Sequence, residues 1–297
     1  MVNYEDKLVT IFTPTYNRAT FLPNIYQDLC KQKSQNFVWM IVDDGSTDDT
    51  EKVVRNFIAE NRIAITYIKK ENGGKYTAYN LAVKKCKTKL LFITMDSDDR
   101  LKDSAVSTIV LDWENNKNSD LVGMVYLCED PDGQLLVSKY NELELDKSPS
   151  LQQATIKNWF KGEAEYIFTT EYLQQFLYPE RKGEKFFNEL YSYIQMTGKM
   201  QWNKKSIYVR AYQDSGITKN FLDTVVRSPL NYADYSNILS KYIPGLFGKM
   251  KYTFYYNTFS CYGGRHKYIN SSSNPIMSWI LIPIGHLASY LLKKKYN

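Results

Sequence analysis

The stretch Leu90-Leu91-Phe92-Ile93-Thr94-Met95-Asp96-Ser97-Asp98-Asp99 decides the fold. From Lys89 to Met95 it is almost continuously apolar, as a strand buried on both faces must be. It then ends abruptly in three carboxylates within four residues. Working outward, Leu8–Thr13, Phe37–Val42 and Ile63–Ile68 are further short runs of the same kind, rich in Ile, Val, Leu, Phe and Thr. Between them the pattern turns helical. After Gly45, Ser46 is placed to cap a helix with Asp49 three residues on, followed by Val53, Val54, Phe57 and Ile58. A second helix begins near Gly74, with Ala78, Leu81 and Ala82 on one face. Residues 8–127 therefore predict alternating strands and helices, an α/β fold with a mostly parallel central sheet and helices on both faces.

Beyond residue 121 the rhythm changes. Leu121–Leu127 and Leu135–Ser138 flank the turn signal Asp130-Pro131-Asp132-Gly133 and predict a hairpin. Tyr166–Thr169 reads as a strand and Glu184–Gly198 as an aromatic helix. The chain thus divides into residues 1–120, 121–230 and 231–297.

Composition narrows the chemistry. Of 297 residues, 43% are hydrophobic and 24% charged, which suits a globular protein and argues against disorder. The net charge of +6 is unevenly placed: residues 231–297 carry eight Lys/Arg against the single acid Asp234, and the first 230 residues are close to neutral. A nucleic-acid-binding globule, basic over its whole body, is thereby disfavoured. Cys30, Cys86, Cys128 and Cys261 are far apart and form no CxxC pair, so the expectation is a reduced, cytoplasmic protein without a disulfide framework. The only histidines are His266 and His286, which excludes His-rich metal sites and leaves the first 230 residues to work with carboxylates, cations, hydroxyls and backbone.

Three polar clusters follow the predicted strands, and ligands in open α/β sheets bind at strand carboxyl ends. They are Thr13-Pro14-Thr15-Tyr16-Asn17-Arg18, Asp43-Asp44-Gly45-Ser46 and Asp96-Ser97-Asp98-Asp99. Crowded carboxylates favour a hard divalent cation, Mg2+ or Mn2+, that completes its shell with substrate phosphate oxygens. Asp96, Asp98 and Asp99 are therefore candidate metal ligands at a nucleoside-diphosphate site. Asn72-Gly73-Gly74-Lys75 opens a helix, where backbone N–H groups and the Lys75 charge suit a diphosphate. Arg18 is a further candidate for that task.

In this order and spacing, TPTYNR (Thr13–Arg18), VDDGSTDDT (Val42–Thr50), ENGGKYTAYNLAV (Glu71–Val83) and MDSDD (Met95–Asp99) resemble the family 2 glycosyltransferases of GT-A fold, over residues 8–110. The resemblance implies that Thr15 and Tyr16 border the nucleotide base, that Asp44 binds uracil or ribose, and that Thr13 also belongs to the donor-binding set. Asp96 would face the ribose and sugar, with Ser97 also in the donor-binding set, and Asp98 would hold the metal with Asp99 close by. A base for the acceptor hydroxyl is also required, and the family places it near a helix in the second half. Arg181–Leu190 resembles a bacterial variant of that motif, with Glu189 as first choice, then Glu184 and Glu165. Tyr212–Thr218 resembles the loop that closes over the site in the same subgroup. The QxxRW motif and spanning helices of processive members are absent, which favours a transferase adding one sugar per encounter.

The tail adds a location. Pro275–Leu292 is an uncharged 18-residue segment followed by Lys293-Lys294-Lys295, short for a span and interrupted by Pro283, Gly285 and His286. Trp279 and Tyr290 suit an interface, so the expectation is a tail lying on the inner leaflet against anionic lipid. The partners that the resemblance and the tail together imply are a nucleotide-sugar donor, UDP-linked, and a saccharide or lipid-linked saccharide acceptor in surface-polysaccharide assembly. Two other classes fit parts of the pattern: a nucleotidyltransferase, whose Gly-rich first loop is missing, and a non-catalytic sugar-nucleotide-binding membrane scaffold. A dehydrogenase is disfavoured because no GxGxxG follows the first strand.

Overall fold

Ten strands form in the computed structural model, which describes residues 6–117, 119–210 and 221–296. They are β1 (Val9–Thr15), β2 (Phe37–Asp43), β3 (Ile65–Lys69), β4 (Leu90–Phe92), β5 (Arg100–Leu101), β6 (Leu121–Glu129), β7 (Val137–Tyr140), β8 (Phe160–Gly162), β9 (Ala164–Thr169) and β10 (Lys199–Val209). The chain divides into two compact units, one of residues 1–177 and 197–212 and one of residues 178–196 and 213–297.

The first unit is built on an eight-stranded sheet in the order β3-β2-β1-β4-β9-β6-β10-β5. β3, β2, β1 and β4 run parallel, as the apolar runs predict. β9 is antiparallel to both β4 and β6, while β6 and β10 are parallel to each other. Because β9 runs backwards, its first residues lie beside the carboxyl ends of its neighbours. β4 is shorter than the expected Lys89–Met95: beyond Phe92 the chain keeps only single bonds, Ile93 N to Tyr166 O and Met95 N to Phe12 O.

Helices α1 (Leu22–Cys30), α2 (Thr50–Glu60), α3 (Lys75–Lys85), α4 (Ala105–Asn116), α5 (Glu142–Leu145), α6 (Leu151–Ile156) and α7 (Thr170–Leu173) complete this unit. Its core joins Trp39, Tyr26, Phe57, Ile11, Phe92 and Tyr126, with Tyr26 stacked on Phe57 at 4.1 Å between ring centroids. Asp28, buried on α1, takes both Nε and Nη2 of Arg100 at 2.5 Å and so ties that helix to β5.

Ser46 does not cap α2, which starts at Thr50. Its N–H instead closes a turn onto Asp43 Oδ1 at 2.7 Å, and its Oγ accepts the N–H of Asn17 at 2.9 Å. The hairpin expected around Asp130–Gly133 is reduced to one bridge, Glu129 with Leu135, because β7 leaves to pair with β8 in a separate two-stranded sheet.

The second unit contains α8 (Leu190–Tyr193), α9 (Phe221–Val226), α10 (Pro229–Tyr242), α11 (Leu246–Tyr262), α12 (Pro275–Ile280) and α13 (Ile282–Tyr296). The expected helix over Glu184–Gly198 shrinks to the single turn α8. Side-chain bonds hold the preceding residues in a loop: the N–H groups of Lys185 and Phe186 both donate to Ser228 Oγ at 3.1 Å. The aromatic spacing there serves a cluster of Tyr178, Phe187 and Tyr191 rather than a helix face. Pro275–Leu292 forms α12 and α13, separated at Leu281. Among the described residues no helix is long and apolar enough to cross a membrane.

Where β6 meets β9, a Cβ added to Gly123 would lie 2.3 Å from Ile167 O. Gly123→Ala is therefore expected to lower the unfolding free energy by about 2 kcal/mol, as overpacking of a dense core does. A urea titration checks this, and an unchanged midpoint would show that the β6–β9 contact has slack.

Candidate active site

The three loops expected to converge do so because the strands that carry them are parallel neighbours. Asn17, in a left-handed conformation (φ 53°), stitches the first loop to the second. Its Oδ1 accepts the N–H of Thr47 at 2.8 Å, while Arg18 N donates to Thr50 Oγ1 at 3.2 Å and Ala19 N to Asp48 Oδ2 at 3.1 Å.

The two acids at the end of β2 have separate tasks. Asp43 is fully buried and accepts the Tyr67 hydroxyl at 2.6 Å. Asp44 turns towards the start of α3. Its carboxylate accepts the N–H groups of Gly73 at 2.8 Å and Gly74 at 2.7 Å, the Asn72 amide at 3.1 Å and the Lys70 ammonium at 2.7 Å. The backbone donors that the sequence offers to a phosphate are thus engaged by an internal carboxylate. An acid at a helix N-terminus is favoured for the same reason a phosphate would be. Gly74 (φ 93°) lets the chain enter α3 from this clamp.

Lys75, the first residue of α3, pairs with Asp96 at 3.0 Å. Burial pushes the Asp96 carboxyl up, but Lys75, with Arg210 and Arg18 in support, outweighs it and holds Asp96 below the ordinary carboxylate range. Arg18 also stacks over Phe21, 4.9 Å from the ring centroid.

The acidic turn is closed from β10. The buried Tyr208 hydroxyl accepts the Asp96 N–H and donates to Asp99 Oδ2, both at 3.0 Å. Ser97 is buried within this turn, and Asp98 is half-buried. Among the described residues no hydrogen bond or ion pair engages the Asp98 carboxylate, and no group of three His, Cys, Asp or Glu side chains is arranged to hold a metal. The donor set is nevertheless hard oxygen, suited to Mg2+ or Mn2+ when a substrate supplies the remaining ligands.

Glu165 enters from the start of β9, as its reversed direction requires. Arg210 Nη2 donates to Glu165 Oε1 at 3.0 Å, and Arg210 Nη1 reaches Glu163 at 3.2 Å. Burial pushes the Glu165 carboxyl up to about 8; Arg210 opposes the rise, and the charges of Asp96 and Asp99 add to it. Cys128 also lies against it, with Sγ 3.7 Å from Oε1.

Other predicted residues are distributed differently. Thr13 is fully buried, and its hydroxyl accepts the Trp39 indole N–H at 2.9 Å, which removes it from any ligand surface. Thr15 is buried at the end of β1, and Tyr16 is exposed. Among the described residues, eight buried side-chain polar atoms have no hydrogen-bond partner, and three of them lie here: Thr15 Oγ1, Asn72 Oδ1 and Arg210 Nε. All three residues belong to the loops at the carboxyl ends of parallel strands or to the segment leading into α3. Buried polar atoms of this kind call for a partner.

Glu184 and Glu189 belong to the second unit. Both oxygens of Glu184 cap α10, taking the N–H groups of Leu230 at 2.9 Å and Asn231 at 2.6 Å, so this carboxylate has a structural task. Glu189 is exposed. The expected closing loop Tyr212–Thr218 lies outside the described residues. Tyr208 and Arg210 are the functional candidates that sequence reasoning misses. Their signal is the short run Ser206-Ile207-Tyr208-Val209 ending in a cation, a strand end like the others.

Residues 10–180 match the model of the family described as glycosyl transferase family 2. A chondroitin synthase of Pasteurella multocida is 27% identical over 258 residues, covering 83% of this chain and 26% of that protein. The chain spans less than half the length of the curated relatives it matches first. Among solved structures, S. aureus TarS 1–349 in complex with UDP-GlcNAc superposes with a TM-score of 0.58 at 14% identity, covering 98% of this chain and 93% of that one. A mannosyltransferase from Pyrobaculum calidifontis in complex with GDP-Man and Mn2+ gives 0.56 at 15%, covering 97% and 87%. These likenesses are of fold, and the fold is of the GT-A kind.

A carboxyl that titrates near 8 when folded and near 4.3 when unfolded binds its proton more tightly in the folded state. Its contribution to stability is full below the unfolded value and is lost as pH rises towards 8. Glu165→Gln removes that titration. Between pH 5 and 9 in EDTA, its melting temperature should fall less steeply than that of the wild type, by a few degrees across the range. Parallel curves would show that Glu165 is already ionised at neutral pH.

Proposed function

The chain belongs to glycosyl transferase family 2, and from that premise we propose a non-processive, metal-dependent, inverting glycosyltransferase. It moves a sugar from a UDP-linked donor to a saccharide or lipid-linked saccharide acceptor in cell-surface polysaccharide synthesis. It works in the cytoplasm as a peripheral protein at the inner face of the plasma membrane. The observation that carries the reading is the acidic turn Asp96–Asp99 at the parallel strand ends, clamped by Tyr208 and faced by Lys75 and Arg210.

Displacement at the anomeric carbon proceeds in one step. The acceptor hydroxyl oxygen forms the new bond from the face opposite the leaving group. The bond from the anomeric carbon to the β-phosphate oxygen breaks, and its electron pair departs with the nucleoside diphosphate. The hydroxyl proton passes to a carboxylate acting as general base. Among the three candidate bases, Glu189 is the proposed one. Glu184 is committed to α10, and Glu165 is buried against Arg210.

Thr15 and Tyr16 would border the base of the donor, and Lys75, Arg18 and Arg210 would balance its diphosphate. Asp44 would act on the nucleotide indirectly, by fixing the loop that carries Lys75. Asp98, aided by Asp96 and Asp99, would hold Mg2+ or Mn2+. When bound, such an ion supplies Lewis-acid stabilisation to the departing diphosphate.

Asp98→Ala should abolish metal-stimulated hydrolysis and transfer across a panel of nucleotide sugars, a loss of at least a hundredfold in turnover. Full activity in that variant would remove the turn from the metal site. Glu189→Gln should leave donor affinity within about twofold while transfer falls by a factor of 10² to 10⁴. Unchanged transfer would move the base to another carboxylate.

A further inference from the structure

The second unit is inverted in polarity along its C-terminal helices. Ile276, Ile280, Ile284, Leu287 and Leu291 recur every three or four residues across α12 and α13, and each is more than half exposed. Trp279, 70% exposed, lies beside this stripe. The opposite face carries Ser278, Gly285 and Ser289, all buried.

These small residues pack on α11. Ser278 and Asn257 exchange side-chain and main-chain hydrogen bonds, and a Cβ added to Gly285 would lie 2.8 Å from Asn257 Cβ. The interior of α10 and α11 is also polar, with Asn231, Ser236, Thr253, Asn257 and Ser260 each fully buried. A helix folding in water buries its large apolar side chains and exposes its small polar ones. Small residues and hydroxyls at the helix contact, with large apolar groups outside, are the arrangement used where the surroundings are themselves apolar.

The outward face continues onto α11. Leu246 and Met250 join Ile276 and Ile280 in lining a groove of about 520 Å3, and the neighbouring Phe247 is 88% exposed. The border of this surface is cationic. Lys251, Lys293, Lys294 and Lys295 are exposed, and residues 235–297 contain eight Lys/Arg and no acid at all.

We propose that α12, α13 and the start of α11 form one rigid surface that seats in the interfacial region of an anionic bilayer. The apolar stripe would lie in the plane at the headgroup–acyl boundary, with the lysines against lipid phosphates. This deepens the membrane placement proposed above by naming the surface and the lipid chemistry. Charge selects lipid over a second copy of the chain. A twofold self-contact through this face would set lysine border against lysine border, whereas anionic headgroups complement it.

The full chain is tested by sedimentation with vesicles of phosphatidylcholine alone and with about one third phosphatidylglycerol. The wild type should pellet with the anionic vesicles and release as salt is raised. Trp279→Glu and Ile280→Glu alter exposed side chains, and each should lower partitioning at least tenfold. Lys293, Lys294 and Lys295 changed together to Gln should lower it by about a hundredfold at low salt, and only on the anionic vesicles. All variants should keep wild-type nucleotide-sugar hydrolysis in solution, so a failure of vesicle binding would leave the catalytic reading untouched.

Wild-type pelleting by the two Glu variants would overturn the proposal. So would a concentration-dependent dimer in light scattering that these variants convert to monomer while the wild type ignores vesicles. Quenching of Trp279 fluorescence by bromine-labelled acyl chains, measured as the difference between wild type and Trp279→Phe, should place the indole within the bilayer interface. No difference in quenching would place it outside and reject the surface.

Discussion

Three carboxylates in four residues cannot share a strand end unless opposite charge and hydrogen-bond donors are brought to them from elsewhere in the chain. The first unit is organised around that constraint. Lys75 arrives from the start of α3, Tyr208 and Arg210 from the end of β10, and Arg18 from the loop after β1. Each depends on another contact to hold its place. Lys75 is aimed by the clamp of Asp44 on Gly73 and Gly74, and Arg210 is anchored between Glu163 and Glu165. The burial that makes the acidic turn expensive also strengthens every one of these interactions.

Asp44 shows how a motif can be read in two chemically equivalent ways. A glycine-rich helix start suits any anion, and residue types alone do not say whether that anion belongs to a ligand or to the chain itself. Here a side chain from the turn after β2 takes the place. The same ambiguity attends Glu184, whose carboxylate caps α10 across a separation of nearly fifty residues. Local caps are visible in sequence as short-range patterns. A cap supplied from a distance leaves no such trace.

The parallel half of the sheet is legible in the sequence because β1 to β4 are apolar runs bounded by turn chemistry. β10 is not, since Lys199, Lys204 and Lys205 break its apolar pattern and its pairing with β6 shifts register three times. Tyr208 and Arg210 are hidden with it, and with them half of the support for the acidic turn. The aromatic stretch near Glu184 misleads for another reason: its rings are spaced for mutual stacking in a loop, which a periodicity argument cannot tell from a helix face. Carboxylate positions are thus predictable from one segment. The neighbours that set their ionisation come from segments far away.

The bond between Tyr208 and the Asp96 amide spans 112 residues. On the ribosome, β1, β2 and β3 can pair first, and β4 can join β1 before β9 exists. The edge strand β5 must wait for β10, because Leu101 pairs with Tyr208. A nascent chain therefore carries a formed sheet with an open acidic turn until residue 208 has cleared the exit tunnel. Long-range closures of this kind slow folding and come late. The acidic turn thus acquires its contacts from β10 only after β1 to β9 have been made.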